Sequence, residues 1–68
     1  MEQIIDARKS FNGIQVTYAT DEEIGNAGTE LFSYENLIDM RINALDLLDN
    51  PLFYSFDPIG PRIVKTVN

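Results

Sequence analysis

Any chemistry in this 68-residue chain has to be built without histidine or cysteine. Their absence removes the common triads, thiol nucleophiles and the usual zinc and haem ligand sets. A serine–lysine arrangement needs both side chains on one side, but Lys9 and Ser10 are neighbours in a strand-like segment and point to opposite faces. Carboxylates are the remaining reactive groups. Asp21, Glu22 and Glu23 form a local cluster, and Asp39 and Asp46 fall about two helical turns apart. Neither set has the alternating Asp/Asn spacing with a central glycine that a calcium loop needs. These acids fit helix-start electrostatics and a solvated face. The expectation is a protein that is not an enzyme, with no catalytic residue, no metal ligand and no cofactor.

Arg41 is the functional group whose surroundings are least ordinary. Residues 33–49, SYENLIDMRINALDLLD, carry the longest helical pattern. The residues three and four positions either side of Arg41 on such a helix are Leu37, Ile38, Ala44 and Leu45, all apolar. An arginine there must lay its stem over apolar surface, pair with an acid, or face a partner. Within the fold its acid would be Asp57 or Glu30; otherwise it would pair across a subunit contact or anchor a foreign protein. On one helix the apolar residues Tyr34, Leu37, Ile38, Met40, Ile42, Ala44, Leu45, Leu47 and Leu48 cover about 220°. A surface helix buries a narrower stripe. The surplus suggests a second surface to cover, and Glu35, Asp39 and Asp46 on the polar strip would suit a basic one. The candidate partner-binding residues are therefore Arg41, Tyr34, Glu35, Asp39, Met40 and Asp46, joined by Phe53 as an exposed aromatic.

These side chains have to be held by a small scaffold. Sixty-eight residues allow one domain, residues 1–68, whose core supplies about 3–5 kcal/mol. Residues 4–11 and 14–20 alternate as strands around Asn12 and Gly13, the preferred pair for a type I′ turn. That turn pairs Phe11 with Ile14, Lys9 with Val16, Ala7 with Tyr18 and Ile5 with Thr20. Its inner face carries Ile5, Ala7, Phe11, Ile14, Val16 and Tyr18. Thr20 and Glu23 have capping-box spacing, so residues 21–30 form a short helix or a loop. Ser33 is the expected N-cap of the main helix, and Asn50 before Pro51 its end. LFYSFD and RIVKTV then alternate as two more strands, with Leu52, Tyr54 and Phe56 on one face and a tight turn at Asp57, Pro58, Ile59 and Gly60. The predicted fold class is α+β: a small antiparallel β-sheet with one main helix packed on it, in the order β-β-α-β-β.

Ile24, Gly25, Asn26, Ala27, Gly28, Thr29, Glu30 and Leu31 fit the I-G-x-x-G-x-x-I/L core of KH domains, which this stretch of eight residues resembles. The resemblance implies a turn between two helices that clamps roughly four nucleotides of a single strand. Asn26 and Ala27 stand where such loops generally carry Lys or Arg. Asp21, Glu22, Glu23 and Glu30 around them oppose phosphate.

Charge shapes the functional expectation. The net charge is −6. Residues 20–57 hold nine acids against Arg41 alone, residues 1–19 balance, and residues 58–68 add Arg62 and Lys65. Such a centre opposes nucleic-acid backbones and anionic membranes and favours a basic partner. The sequence carries no basic leader and no apolar run of about 18 residues, so a cytoplasmic protein is expected. The leading expectation is a small acidic protein-binding module, an inhibitor or regulator that docks on a larger protein, including a nucleic-acid-binding one by charge mimicry. Viral and mobile-element proteins of this size supply the analogy. The alternative is a homodimer or larger homo-oligomer in a structural or scaffolding role. A KH-like single-strand binder is the third.

Overall fold

The turn between the first two strands is not where Asn12 and Gly13 would place it. In the computed structural model, which describes residues 1–20 and 27–66, strand β1 (Glu2–Ser10) pairs antiparallel with β2 (Gly13–Ala19). The pairs are Ser10 with Gly13, Lys9 with Ile14 and Ala7 with Val16, two positions away from the predicted register. Phe11 and Asn12 make the turn, neither with positive φ, so it is not a type I′ turn. Gly13 is needed elsewhere. It lies against strand β3 (Ala27–Ser33), where a Cβ would stand 1.9 Å from the Phe32 carbonyl oxygen. Phe11, predicted to face the core, is instead 99% exposed at the tip.

A second departure corrects the inner face. The β1–β2 register shifts between Ile4 and Asp6. This bulge turns Ile4 inward on the same side as Ala7 and leaves Ile5 exposed. Two consecutive isoleucines gave no sequence signal to choose between them.

Residues 27–30, which fall in the segment expected as a short helix or loop, and residues 31–33 after them pair along their whole length with β2. The helix–turn–helix that a KH motif requires is therefore absent from its second half, and Gly28 has a packing role. It lies opposite Tyr18, whose ring would come within 2.4 Å of an added Cβ. The Tyr18 ring stacks on Phe56 at 4.4 Å between centroids. Gly25 and the predicted cap at Thr20 and Glu23 involve residues outside those described.

The single long helix is two short ones, α1 (Tyr34–Asp39) and α2 (Ala44–Asp49). Ser33 caps α1 as predicted, its Oγ accepting from the Asn36 N–H at 3.1 Å. Asn43 caps α2, its Oδ1 accepting from the Asp46 N–H at 3.1 Å. Between them Arg41 has φ +60. The Arg41 N–H donates to the Ile38 carbonyl at 3.0 Å and the Ile42 N–H to the Leu37 carbonyl at 2.8 Å. This is a Schellman motif with arginine at the position that glycine usually fills. It explains the 220° arc. That arc belongs to one straight axis; broken in two, each helix fully buries one residue, Leu37 and Leu47. Met40, Ile42, Ala44 and Leu48 pack against the same core.

After a 3₁₀ turn, Pro51–Phe53, strands β4 (Tyr54–Asp57) and β5 (Arg62–Lys65) form a second hairpin. Leu52 lies in the 3₁₀ turn and is exposed, so it does not share the inner face with Tyr54 and Phe56. The sheet order is β3-β2-β1-β4-β5. The β1–β4 seam is short, pairing Glu2 with Phe56 and Gln3 with Ser55. Gln3 Nε2 reinforces it by donating to the carbonyls of Leu52 and Tyr54, each at 3.0 Å. The fold is thus a small mixed one, a curled five-stranded antiparallel sheet with two short helices, in the order β-β-β-α-α-β-β. No helix among the described residues is long and apolar enough to cross a membrane.

Candidate functional site

The Schellman turn puts Arg41 on the outside. Its side chain is exposed, and among the described residues it makes no ion pair. The predicted apolar setting of Leu37, Ile38, Ala44 and Leu45 required a continuous helix and is not formed. Asp57, expected as a partner for Arg41, pairs instead with Arg62 at 3.3 Å. Glu30 lies on β3, opposite Val16.

Arg41 lines a cleft of about 460 Å³ between the α1–α2 turn and β5. One wall is Asp39, Met40, Arg41 and Ile42; the other is β5, from Arg62 to Lys65. Three of the predicted partner-binding residues, Asp39, Met40 and Arg41, therefore share one place. Met40 ties the walls together, because its Sδ accepts from the Ile63 N–H at 3.3 Å. Sequence reasoning missed the β5 wall, since nothing local links residues 39–42 to residues 62–65.

The other predicted residues go elsewhere. Tyr34 and Glu35 line a smaller cleft of about 320 Å³ with Asn12 and Ser33, beside the hairpin tip. There the Tyr34 N–H donates to the Asn12 carbonyl at 3.2 Å. Phe53 is partly exposed in the 3₁₀ turn. Asp46 is engaged inside the fold. Its carboxylate accepts from the Tyr54 hydroxyl, from Asn50 Nδ2 at 2.9 Å and from Lys65 Nζ at 3.1 Å. These hydrogen bonds, led by that of Tyr54, lower its pKa from 3.8 to about 2. Burial and the Asp46 carboxylate raise the Tyr54 hydroxyl from 10.0 to about 12. Asp46 thus positions Lys65 on β5 rather than waiting on a polar strip for a partner.

No family model, curated protein or solved structure matches the chain.

Among the described residues no three His, Cys, Asp or Glu side chains are grouped to hold a metal ion. The outer side of the helices offers apolar contact instead. Ile38 and Leu45 are each 72% exposed. On α1, Tyr34 and Ile38 are one turn apart, as are Glu35 and Asp39 next to them. On α2 the same spacing places Leu45 beside Asp49. Apolar side chains flanked by exposed acids can bury area against a basic, apolar surface.

Proposed function

We propose that this chain is a non-enzymatic protein-binding module, acting in the cytoplasm as an inhibitor or regulator that docks on a larger protein. The observation that carries the reading is the exposure of Ile38 and Leu45 beside the exposed acids Glu35, Asp39 and Asp49, which form no ion pair among the described residues. Each of these large aliphatic side chains is a contact point that a partner would dehydrate, each burial contributing about 1.5–3 kcal/mol. The acids around them select a basic partner and speed its approach. A nucleic-acid-binding protein, engaged through charge mimicry, is the sharper form of the same reading.

The test is affinity capture from the native host with the immobilised chain, run beside Ile38→Asp and a Glu35→Lys, Asp39→Lys variant. The expected result is a protein retained by the wild type, released as salt rises and lost from both variants. Capture of the same proteins by wild type and Ile38→Asp would overturn the reading.

A second reading, self-association, is favoured by the outer edge of β3. This strand ends the sheet, runs seven residues and contains neither Lys nor Pro to guard it. Two copies pairing edge to edge would continue the sheet. Sedimentation equilibrium separates the readings: a monomer throughout the micromolar range excludes this one.

A further inference from the structure

The two edges of the sheet are finished differently. β5 ends one side. It has four residues, carries Arg62 and Lys65, and lies beside the α1–α2 turn. The Thr66 N–H donates to the Phe53 carbonyl at 2.8 Å. Alternation along this hairpin leaves Ile63 and Lys65 with their backbone groups pointing away from β4. Met40 Sδ takes the outward Ile63 N–H at 3.3 Å. Shortness, cations and a covering element protect an edge from stray pairing. β3, which ends the other side, has neither brevity nor a cation. It runs seven residues without Lys, Arg or Pro, and Glu30 is its one charge.

Hydrogen bonds fix which way the β3 backbone points. The Tyr34 N–H donates to the Asn12 carbonyl at 3.2 Å, in register with the β2–β3 pairs. Bonded and open pairs alternate in an antiparallel ladder. Gly28, Glu30 and Phe32 therefore bond to β2, while Ala27, Thr29, Leu31 and Ser33 turn their backbone groups to the edge. No other described backbone group bonds to Ala27, Thr29 or Leu31, and all three residues are exposed. Such an edge is complementary to itself about a two-fold axis.

The registers of that self-pairing are not equal. A centre at Glu30 sets the carboxylate directly opposite its own copy, like against like. A centre at Leu31 calls on the Ser33 carbonyl, which at the N-cap of α1 already accepts within the helix. A centre at Gly28 pairs only residues 27–29 of the strand. A centre at Thr29 avoids all three conflicts.

We propose that two copies of this chain pair their β3 strands antiparallel about a two-fold axis at Thr29, joining two five-stranded sheets into one. Thr29 then meets Thr29, Ala27 meets Leu31 and Gly28 meets Glu30 of the second copy. Ala27, Thr29 and Leu31 gain partners for both backbone groups. The two threonines make a favourable cross-strand pair, and Glu30 faces a glycine instead of a carboxylate. Leu31, 57% exposed in the single chain, comes to lie beside Ala27 of the second copy. This inference rests on the self-association reading and adds the register.

The chain has no cysteine, so single cysteines report that register by disulfide cross-linking. Hydrogen-bonded antiparallel partners stand about 5.5 Å apart at Cα, within disulfide reach. Sedimentation equilibrium of the wild type should show a dimer in the micromolar range. Thr29→Cys should cross-link to itself, and Ala27→Cys should cross-link to Leu31→Cys when the two are mixed but neither alone. Thr29→Pro deletes an outward N–H, which an edge strand tolerates, so its circular dichroism should be retained while dimerisation weakens at least about tenfold. Thr29→Lys sets like charges face to face at the axis and should weaken the dimer similarly. A monomer throughout the micromolar range would overturn the proposal and self-association together. A dimer that cross-links through Glu30→Cys or Leu31→Cys alone, or that survives both Thr29 variants with their fold intact, would overturn the register and leave self-association standing.

Discussion

Replacing Arg41 by glycine should make the protein more stable. The residue closes α1 with φ +60, a conformation in which the Cβ of any L-residue crowds its own carbonyl oxygen, at about 1–2 kcal/mol. Glycine removes that cost but loosens the unfolded chain, which takes back about 0.4–1 kcal/mol. The Arg41 side chain is exposed and makes no hydrogen bond or ion pair among the described residues, so no contact is lost in return. The net gain is about 0.5–1 kcal/mol. On a domain of this size that raises the melting temperature by roughly 2–8 °C. Urea unfolding followed by far-ultraviolet circular dichroism reads the change as a shifted midpoint with an unchanged m-value. Arg41→Ala is the control. It deletes the charged side chain but keeps the Cβ, so it should stay near the wild type. A glycine variant no more stable than the alanine variant would refute the strain argument.

Other expectations follow from the same geometry. Asp46 has its pKa lowered from 3.8 to about 2 in the folded protein, so its contribution is present above about pH 4 and lost as pH falls through about 2; acid unfolding of Asp46→Asn should lack that part of the limb. Tyr54 is raised from 10.0 to about 12, so its contribution is complete below pH 10 and fades as pH rises through about 12, measurable as delayed phenolate absorbance in the native state. Gly13→Ala drives a Cβ into the Phe32 carbonyl oxygen at 1.9 Å and should cost about 1–3 kcal/mol in chemical denaturation. Ser33→Ala removes the acceptor for the Asn36 N–H and should cost about 1 kcal/mol, seen as a lower urea midpoint.

Local signals in the sequence carried through where a single residue decides the outcome. Ser33 caps, Pro51 stops the second helix, and a turn follows Asp57 as predicted, although it spans the four residues from Pro58 to Pro61 before β5 pairs back at Arg62. At the first hairpin a tertiary neighbour outvotes a local preference. Asn12 and Gly13 favour a primed turn, but Gly13 must lie against Phe32 in β3, and the hairpin register moves to allow it. Residues 27–33 carry little strand signal because only Phe32 among them is buried, which leaves almost no alternation to detect. The helix break did leave a trace. Asn43 sits three residues before Asp46, an N-cap pattern in mid-helix, and an apolar arc of about 220° exceeds what one straight helix buries. At the candidate site, Asp39, Met40 and Arg41 were legible as neighbours in sequence. The facing wall of Arg62 and Lys65 was not, because it is brought there by the return of the last hairpin.

The short seam between β1 and β4 has a consequence for how the molecule opens. Backbone pairing across it involves only Glu2 with Phe56 and Gln3 with Ser55, whereas β1 and β2 pair over most of their length. The terminal hairpin β4–β5 is therefore the unit that can part from the sheet at least cost in backbone hydrogen bonds. Native-state hydrogen exchange should show two tiers of protection, with amides of β4 and β5 exchanging before those of β1 and β2. Since β5 forms one wall of the cleft beside the α1–α2 turn, each such excursion would also dismantle that cleft.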